Sequence, residues 1–263
     1  MNTHMLEVDD VTIEAGRDGF ALQGVSLSVA AGEVVGIVGD SGAGKSLLVS
    51  SITGTLRSSA RITNGQIRFN GKSVLDLPES ELRQLRGRRI AYIGPNPHSL
   101  LHPTIPVGKQ VRRFLRAHEQ VSRADADQRV AAMFAAVGIP DPLRRMAAYP
   151  HELSGGMAQR VVIAIGLICR PDVIVADEPT AGLDVTIQAQ VLQLIKQLVT
   201  SADQRTSLLI ASRDLGIIAK ICDRAAILGS GRVAELRDTR AFFDNPATEA
   251  GKDLLLAARG VSR

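Results

Sequence analysis

The sequence predicts an α/β fold with a largely parallel sheet and a helical block set into it. Three observations carry that prediction. The run EVVGIVG (33–39) is nearly all apolar, as a strand covered on both faces must be. From residue 156 onward, short apolar runs of strand length alternate with stretches of helical spacing, the order that builds parallel sheets with crossover helices. Between about 106 and 157 helical spacing takes over, which reads as an insertion into the α/β domain.

The elements follow in order. MLEVDDVTI (5–13) and LQGVSLSV (22–29) alternate in part, as half-exposed strands do. After 33–39 a helix is expected from Gly44 into Thr53. GQIRFNG (65–71) reads as a strand with a turn, and RRIAYIG (88–94) as another strand. VGKQVRRFLRAHEQ (107–120) and ADADQRVAAMFAAVGI (124–139) have helical spacing, and MAAYPHELSGG (146–156) closes the block. The second half then predicts a helix over 156–170, a strand over 172–178 and a helix over 184–201. A strand over 207–212, a helix over 215–222 and a hairpin over 224–236 complete it.

The chain of 263 residues suits one α/β domain carrying a sizeable insertion. With aromatic residues at 3% and no Trp, the core must be built from Val, Ile, Leu and Ala. The net charge of +4 permits an anionic partner (a nucleotide, a nucleic acid or a lipid surface) without choosing among them. Cys169 and Cys222 stand in apolar helical contexts and read as buried free thiols of a reducing compartment, not as a disulfide. The five His give no metal-ligand spacing: His98 and His102 are four apart, but Pro97 and Pro103 argue against one shared helix face. No apolar run reaches bilayer length, and residues 1–10 lack the pattern of a signal peptide. The expected place is the cytosol, with any membrane link made through a partner.

GDSGAGKS (39–46) matches G-x-x-x-x-G-K-[ST] and stands where that pattern has mechanical sense, between a buried strand and a helix. Gly39, Asp40, Ser41, Gly42, Ala43, Gly44 and Leu47 would wrap backbone N–H groups round phosphate oxygens at a helix start. Lys45 would reach the β- and γ-phosphates and Ser46 would hold Mg²⁺. The plain alternative is a Gly-rich turn without a ligand. VIVADE (173–178) is an apolar strand ending in Asp177, a carboxylate suited to Mg²⁺, followed by Glu178, which would polarise an attacking water. Alone, that acid pair would read as a turn or helix cap.

HELSGGMAQR (151–160) followed by DEPTAGLD (177–184) changes the weighing. With the phosphate loop, these stretches closely resemble the nucleotide-binding subunits of ABC transporters: LSGGM matches the family's signature and AGLD its D-loop. The resemblance spans nearly the whole chain and is greatest to the ATPases of peptide, nickel and metallophore importers. It implies a P-loop NTPase (ABC ATPase) core with a mostly parallel sheet, an N-terminal antiparallel β subdomain and an α-helical subdomain inserted at 104–158, all within one ATPase domain. It implies ATP and Mg²⁺ as cofactors. In that family two such subunits meet head to tail, so Ser154, Gly155 and Gly156, with Gln159 from the same stretch, would bind ATP held by the partner's phosphate loop. Read without the family, Ser154 before two glycines is more simply an N-cap. Relatives in the subgroup often carry a Cys-rich tail; no such cluster occurs in this sequence, and no iron–sulfur site is expected.

Three positions depart from the family pattern. Arg213, in LLIASRDLG, stands where a His usually contacts the γ-phosphate and positions water. Arginine carries five donors and no acceptor. Pro95, in YIGPNPHSLLHP, stands where a Gln usually binds Mg²⁺ or water. The aromatic that stacks on adenine is expected near Ala15, with Phe20 as a substitute. The resulting expectation is an ATP-binding subunit of a bacterial importer for peptides, nickel or metal–chelator complexes, peripheral on the cytoplasmic face of the inner membrane. Its partners would be a second, non-identical ATPase subunit, two transmembrane permease subunits and an extracytoplasmic binding protein, with no nucleic acid. Its own ATP site would be degenerate, with Glu178 and Arg213 as the catalytic pair, while its signature completes the partner's site. The alternatives are a fully active subunit in which Arg213 replaces the His, a soluble ABC-type ATPase acting on DNA or ribosomes, and an interaction-only subunit that never binds ATP. The intact phosphate loop speaks against the last.

Overall fold

A computed structural model describes residues 4–16, 20–199 and 206–258, the Phe20 and Leu198 side chains excepted. In chain order the first elements are β1 (His4–Ala15), β2 (Phe20–Ala30), β3 (Val34–Val38), α1 (Lys45–Ile52), β4 (Ala60–Phe69), β5 (Lys72–Ser73), α2 (Glu79–Leu85) and β6 (Ile90–Ile93). Helices α3 (Pro97–Leu100), α4 (Val107–His118), α5 (Arg123–Ala136) and α6 (Pro142–Arg145) follow. A 3₁₀ turn at Pro150–Glu152 leads into α7 (Gly155–Leu167). Then come β7 (Val173–Asp177), α8 (Val185–Val199), β8 (Ser207–Ser212), α9 (Leu215–Ile221), β9 (Arg224–Gly229), β10 (Arg232–Asp238), α10 (Thr239–Asp244) and α11 (Glu249–Ala258). None of the described helices is long and apolar enough to cross a membrane.

The strands form two sheets. One is antiparallel, in the order β2-β1-β4-β5. The other has the order β10-β9-β3-β8-β7-β6, parallel from β9 to β6, with β10 antiparallel at its edge. All residues of β3, β7 and β8 are buried, which is why their sequences are continuous apolar runs and not alternating ones. Alternate residues of β3 feed different cores. Val34 and Val38 pack among the helices on one face, and Val35 and Ile37 pack with α1 and the antiparallel sheet on the other.

Register decides where the site lies. Val38 pairs with Ser212, Asp177 with Ala211, and Ile93 with Ala176. The carboxyl ends of β3, β8, β7 and β6 are therefore level. The segments that leave them, beginning at 39, 213, 178 and 94, open on one edge of the sheet, where ligands bind in open α/β folds. His98 lies on α3, which ends at Leu100, so His102 is off that helix. Pro97 is tolerated because it occupies the first helical turn, where its missing N–H has no partner to lose.

Candidate nucleotide-binding site

Residues of the segment 41–47 make one wall of a cleft of about 710 Å³. Ser41, Gly42, Gly44, Lys45, Ser46 and Leu47 line it, with Pro95, Glu178, Ala181 and Arg213 on other walls. Two glycines are required by geometry. A Cβ on Gly39 would run into the Leu228 carbonyl. Gly44 caps α1 at φ +105°, where a side chain would also strike Leu22. Ala43, by contrast, turns its methyl into the core and offers only backbone. Lys45 donates from Nζ to the carbonyls of Gly39 (2.7 Å) and Asp40 (2.9 Å), so its ammonium is held at the loop's centre. Burial pulls its pKa below the ordinary lysine value, against the pull of the Glu178 carboxylate.

Asp177, 5% exposed, ends β7 one residue before Glu178, which lines the cleft. Burial pushes its carboxyl above the usual range, opposed by a hydrogen bond from Ser46 and by the Lys45 charge. Its Oδ1 is buried with no hydrogen-bond partner, an unsatisfied acceptor of the kind that costs about 1–3 kcal/mol unless a ligand fills it. A hydroxyl, a carboxylate with an open oxygen and a loop shaped for phosphate are the donor set that fits Mg²⁺, which takes one or two protein oxygens and completes its shell with phosphate and water. No group of three or more His, Cys, Asp or Glu able to hold a metal occurs among the described residues.

Glu178 sits at φ +44°, in the left-handed region that costs a non-glycine residue about 1–2 kcal/mol. Its N–H donates to the Ala211 carbonyl at 2.8 Å, which pins it beside β8. There Arg213 meets it: Nε stands 3.3 Å from Glu178 Oε1. The Arg213 side chain is 63% exposed, so the pair is worth at most about 1 kcal/mol. A charge-assisted bond to phosphate, at about 1.5–3 kcal/mol, would outbid it. This ion pair joins residues 35 positions apart in sequence, a contact that reading along the chain misses.

Pro95 is exposed in the cleft wall and brings no polar side-chain atom there. Ala15 ends β1, and the Phe20 side chain lies outside the described residues, so the stacking aromatic has no candidate among them. Ser230 and Gly231 of the β9–β10 turn, with Ala21, also line the cleft; no sequence motif marks them.

Ser154, Gly155 and Gly156 lie apart from this cleft, at the start of α7. The Ser154 hydroxyl accepts from the Met157 N–H at 3.3 Å, so the residue is an N-cap. Ser154 and Gly155 are exposed, leaving the helix N-terminus open. Gly156 serves packing as well, because a Cβ there would come 2.7 Å from Ile187 Cγ2. Gln159, from the same stretch, is placed differently. It is 1% exposed, and its Nε2 faces the Gly94 carbonyl at 3.5 Å. One turn into α7 its side chain turns inward.

Cys169 and Cys222 are free and buried, and burial lifts their pKa values to about 11 and about 12. Neither touches the cleft.

Residues 22–181 match the family model described as "ABC transporter". The chain is 43% identical to the dipeptide transport ATP-binding protein DppD of Bacillus subtilis, over 89% of its own length and 70% of that protein. It is 41% identical to the oligopeptide transport ATP-binding protein OppD of Salmonella typhimurium, over 92% and 72%. Among solved structures it is similar to the ATP-binding cassette MJ0796, whose dimer is described as bound to ADP and Pi. That likeness has a TM-score of 0.79 at 26% identity, covering 90% of this chain and 99% of the cassette.

Proposed function

This chain belongs to the ABC transporter family and is an ABC-type ATPase, and from that premise we propose that it is the ATP-binding subunit of a bacterial importer. The transport names of its relatives favour peptides as cargo, with nickel and metal–chelator complexes as the wider class implied by the sequence resemblance. They also favour an importer over an ATPase acting on DNA or ribosomes. Its partners are two permease subunits, an extracytoplasmic binding protein and a second ATPase subunit, non-identical to it, on the cytoplasmic face of the inner membrane.

One observation carries the nucleotide reading. Ser41, Gly42, Gly44, Lys45, Ser46 and Leu47 line one cleft with Glu178 at the level strand ends, and the carboxyl of Asp177, with its open oxygen, interacts with the Ser46 hydroxyl and the Lys45 charge. Lys45 neutralises the β- and γ-phosphates, Ser46 and Asp177 hold Mg²⁺, and Glu178 receives the proton side of the attacking water. Mg²⁺ supplies charge neutralisation along the phosphates when bound. In a complex whose partner ATPase has its own loop lysine replaced, Lys45→Ala is expected to weaken binding of a fluorescent ATP analogue by about tenfold or more. Equal affinity for the two complexes would remove the assignment.

The same cleft is proposed to be slow. Arg213 holds the Glu178 oxygen that would accept from water, and it offers no acceptor of its own. Pro95 offers no side-chain contact. The signature, which faces the partner's nucleotide, is open and intact. A second reading, a fully active subunit in which Arg213 grips the γ-phosphate, is favoured by the exposure of that guanidinium in the cleft.

Permease docking falls to the helical block and the turn before it. Ser99 is exposed on α3, between Pro97 and Pro103. A cysteine at position 99 is expected to crosslink to a cytoplasmic loop of a permease subunit. Failure at every loop position would place the docking surface elsewhere.

A further inference from the structure

Mg²⁺ gives up its hydration reluctantly, so the waters it keeps need hydrogen-bond partners from the protein. In this cleft Pro95 supplies none from its side chain. Tyr92, three residues earlier on β6, is a polar side chain that feels the Asp177 charge.

In β6, Ala91 and Ile93 join the core under the helices, whereas Ile90 joins the core shared with α1. By alternation Tyr92 faces the α1 side. It pairs in register with Val175, two residues before Asp177 on the neighbouring strand, so Tyr92 and Asp177 share one face of the sheet. Its ring folds forward over Gly94. A Cβ at that position would stand 2.8 Å from the phenol oxygen and 3.0 Å from Cε1. Any side chain at 94 would displace the phenol, so Gly94 and Tyr92 fit as a pair, and the hydroxyl lies against the residue that precedes Pro95. Tyr92 is 39% exposed, and its hydroxyl makes no hydrogen bond to any described group. Burial first, and then the Asp177 charge, push the phenol pKa up. The hydroxyl therefore keeps its proton and can both donate and accept.

We propose that Tyr92 is a positioning residue of the nucleotide site, its phenol hydroxyl hydrogen-bonding the hydration water of the Mg²⁺ held by Ser46 and Asp177, with Gly94 making the room. This rests on the nucleotide reading above. It divides the two departures in the cleft: the loss at 95 is made good from 92 on the metal side, while Arg213 still constrains the water side.

The chain has two tyrosines, Tyr92 and Tyr149, and no tryptophan. The full chain labelled with 3-fluorotyrosine therefore gives two ¹⁹F resonances, which Tyr149→Phe assigns. With a non-hydrolysable ATP analogue saturating, added Mg²⁺ is expected to move the Tyr92 resonance. Tyr92→Phe is expected to weaken Mg²⁺ binding to the nucleotide-loaded chain by about tenfold, the usual loss when the partner of a metal's shell is removed. Its affinity for the analogue in EDTA should not change. If the analogue and Mg²⁺ bind but the Tyr92 resonance stays in place, or Tyr92→Phe keeps its Mg²⁺ affinity, the inference is wrong and the nucleotide reading survives. If the unsubstituted chain shows no Mg²⁺-dependent binding, both are wrong.

Discussion

Gly155→Asp is expected to abolish ATP hydrolysis and transport by the assembled complex, while Glu178→Gln in the same chain changes them less than about twofold. The chain itself tolerates the first change. A Cβ at 155 meets nothing nearer than Leu183 Cδ2 at 3.9 Å, and an acid in the first turn of α7 is favoured by the helix dipole. On the proposed head-to-tail pairing, the effect would arise across the subunit interface, where the new carboxylate would meet the partner's γ-phosphate. Two like unit charges about 4 Å apart, at the effective dielectric of a protein surface, repel by about 4 kcal/mol, roughly 10³-fold in rate. Glu178, in contrast, serves the cleft proposed to be slow, so its loss would remove little from the total. Steady-state ATPase and vesicle transport of both variants separate the readings. If Glu178→Gln removes most of the activity, this chain's cleft is a working site and Arg213 is a competent substitute.

In the Gly155→Asp complex, where the partner's site is silenced, adding Arg213→His is expected to raise the residual ATPase by about 10²-fold, the usual worth of one positioning contact. Two changes act together. The guanidinium leaves Glu178 Oε1, and a neutral imidazole brings the acceptor nitrogen that arginine lacks. Little stability is at stake, because the pair being broken is mostly exposed. An unchanged residual rate would mean that Arg213 is not what limits this cleft.

Much of this could be read along the chain, for physical reasons that differ by element. The buried strands β3, β7 and β8 announce themselves because both of their faces are covered. The phosphate loop is contiguous, and its glycines answer to local geometry. Helix α2 has no buried residue, so no apolar period marks it. Helices α10 and α11 are short and bury only a few residues each. The division into two sheets depends on pairing between distant strands, which single runs do not encode. The same holds in the cleft. Asp177 and Lys45 are legible in motifs, but the Arg213–Glu178 contact and the fit of Tyr92 over Gly94 are pairwise. The inward turn of Gln159 is likewise not legible, because adjacency in a motif says nothing about which way a helical side chain turns.

That rotation of Gln159 has a mechanical consequence. Its amide faces the Gly94 carbonyl at 3.5 Å, beside Pro95 at the chain's own cleft, yet it lies four residues from Gly155, one turn or about 6 Å along α7. A movement of 94–95 that keeps this contact would bear on the start of α7. On the proposed pairing, one helix would link the loop at a subunit's own cleft to the surface it offers its partner. In a head-to-tail pair, occupancy at one cleft would then bear on affinity at the other, equally in both directions, as linkage requires.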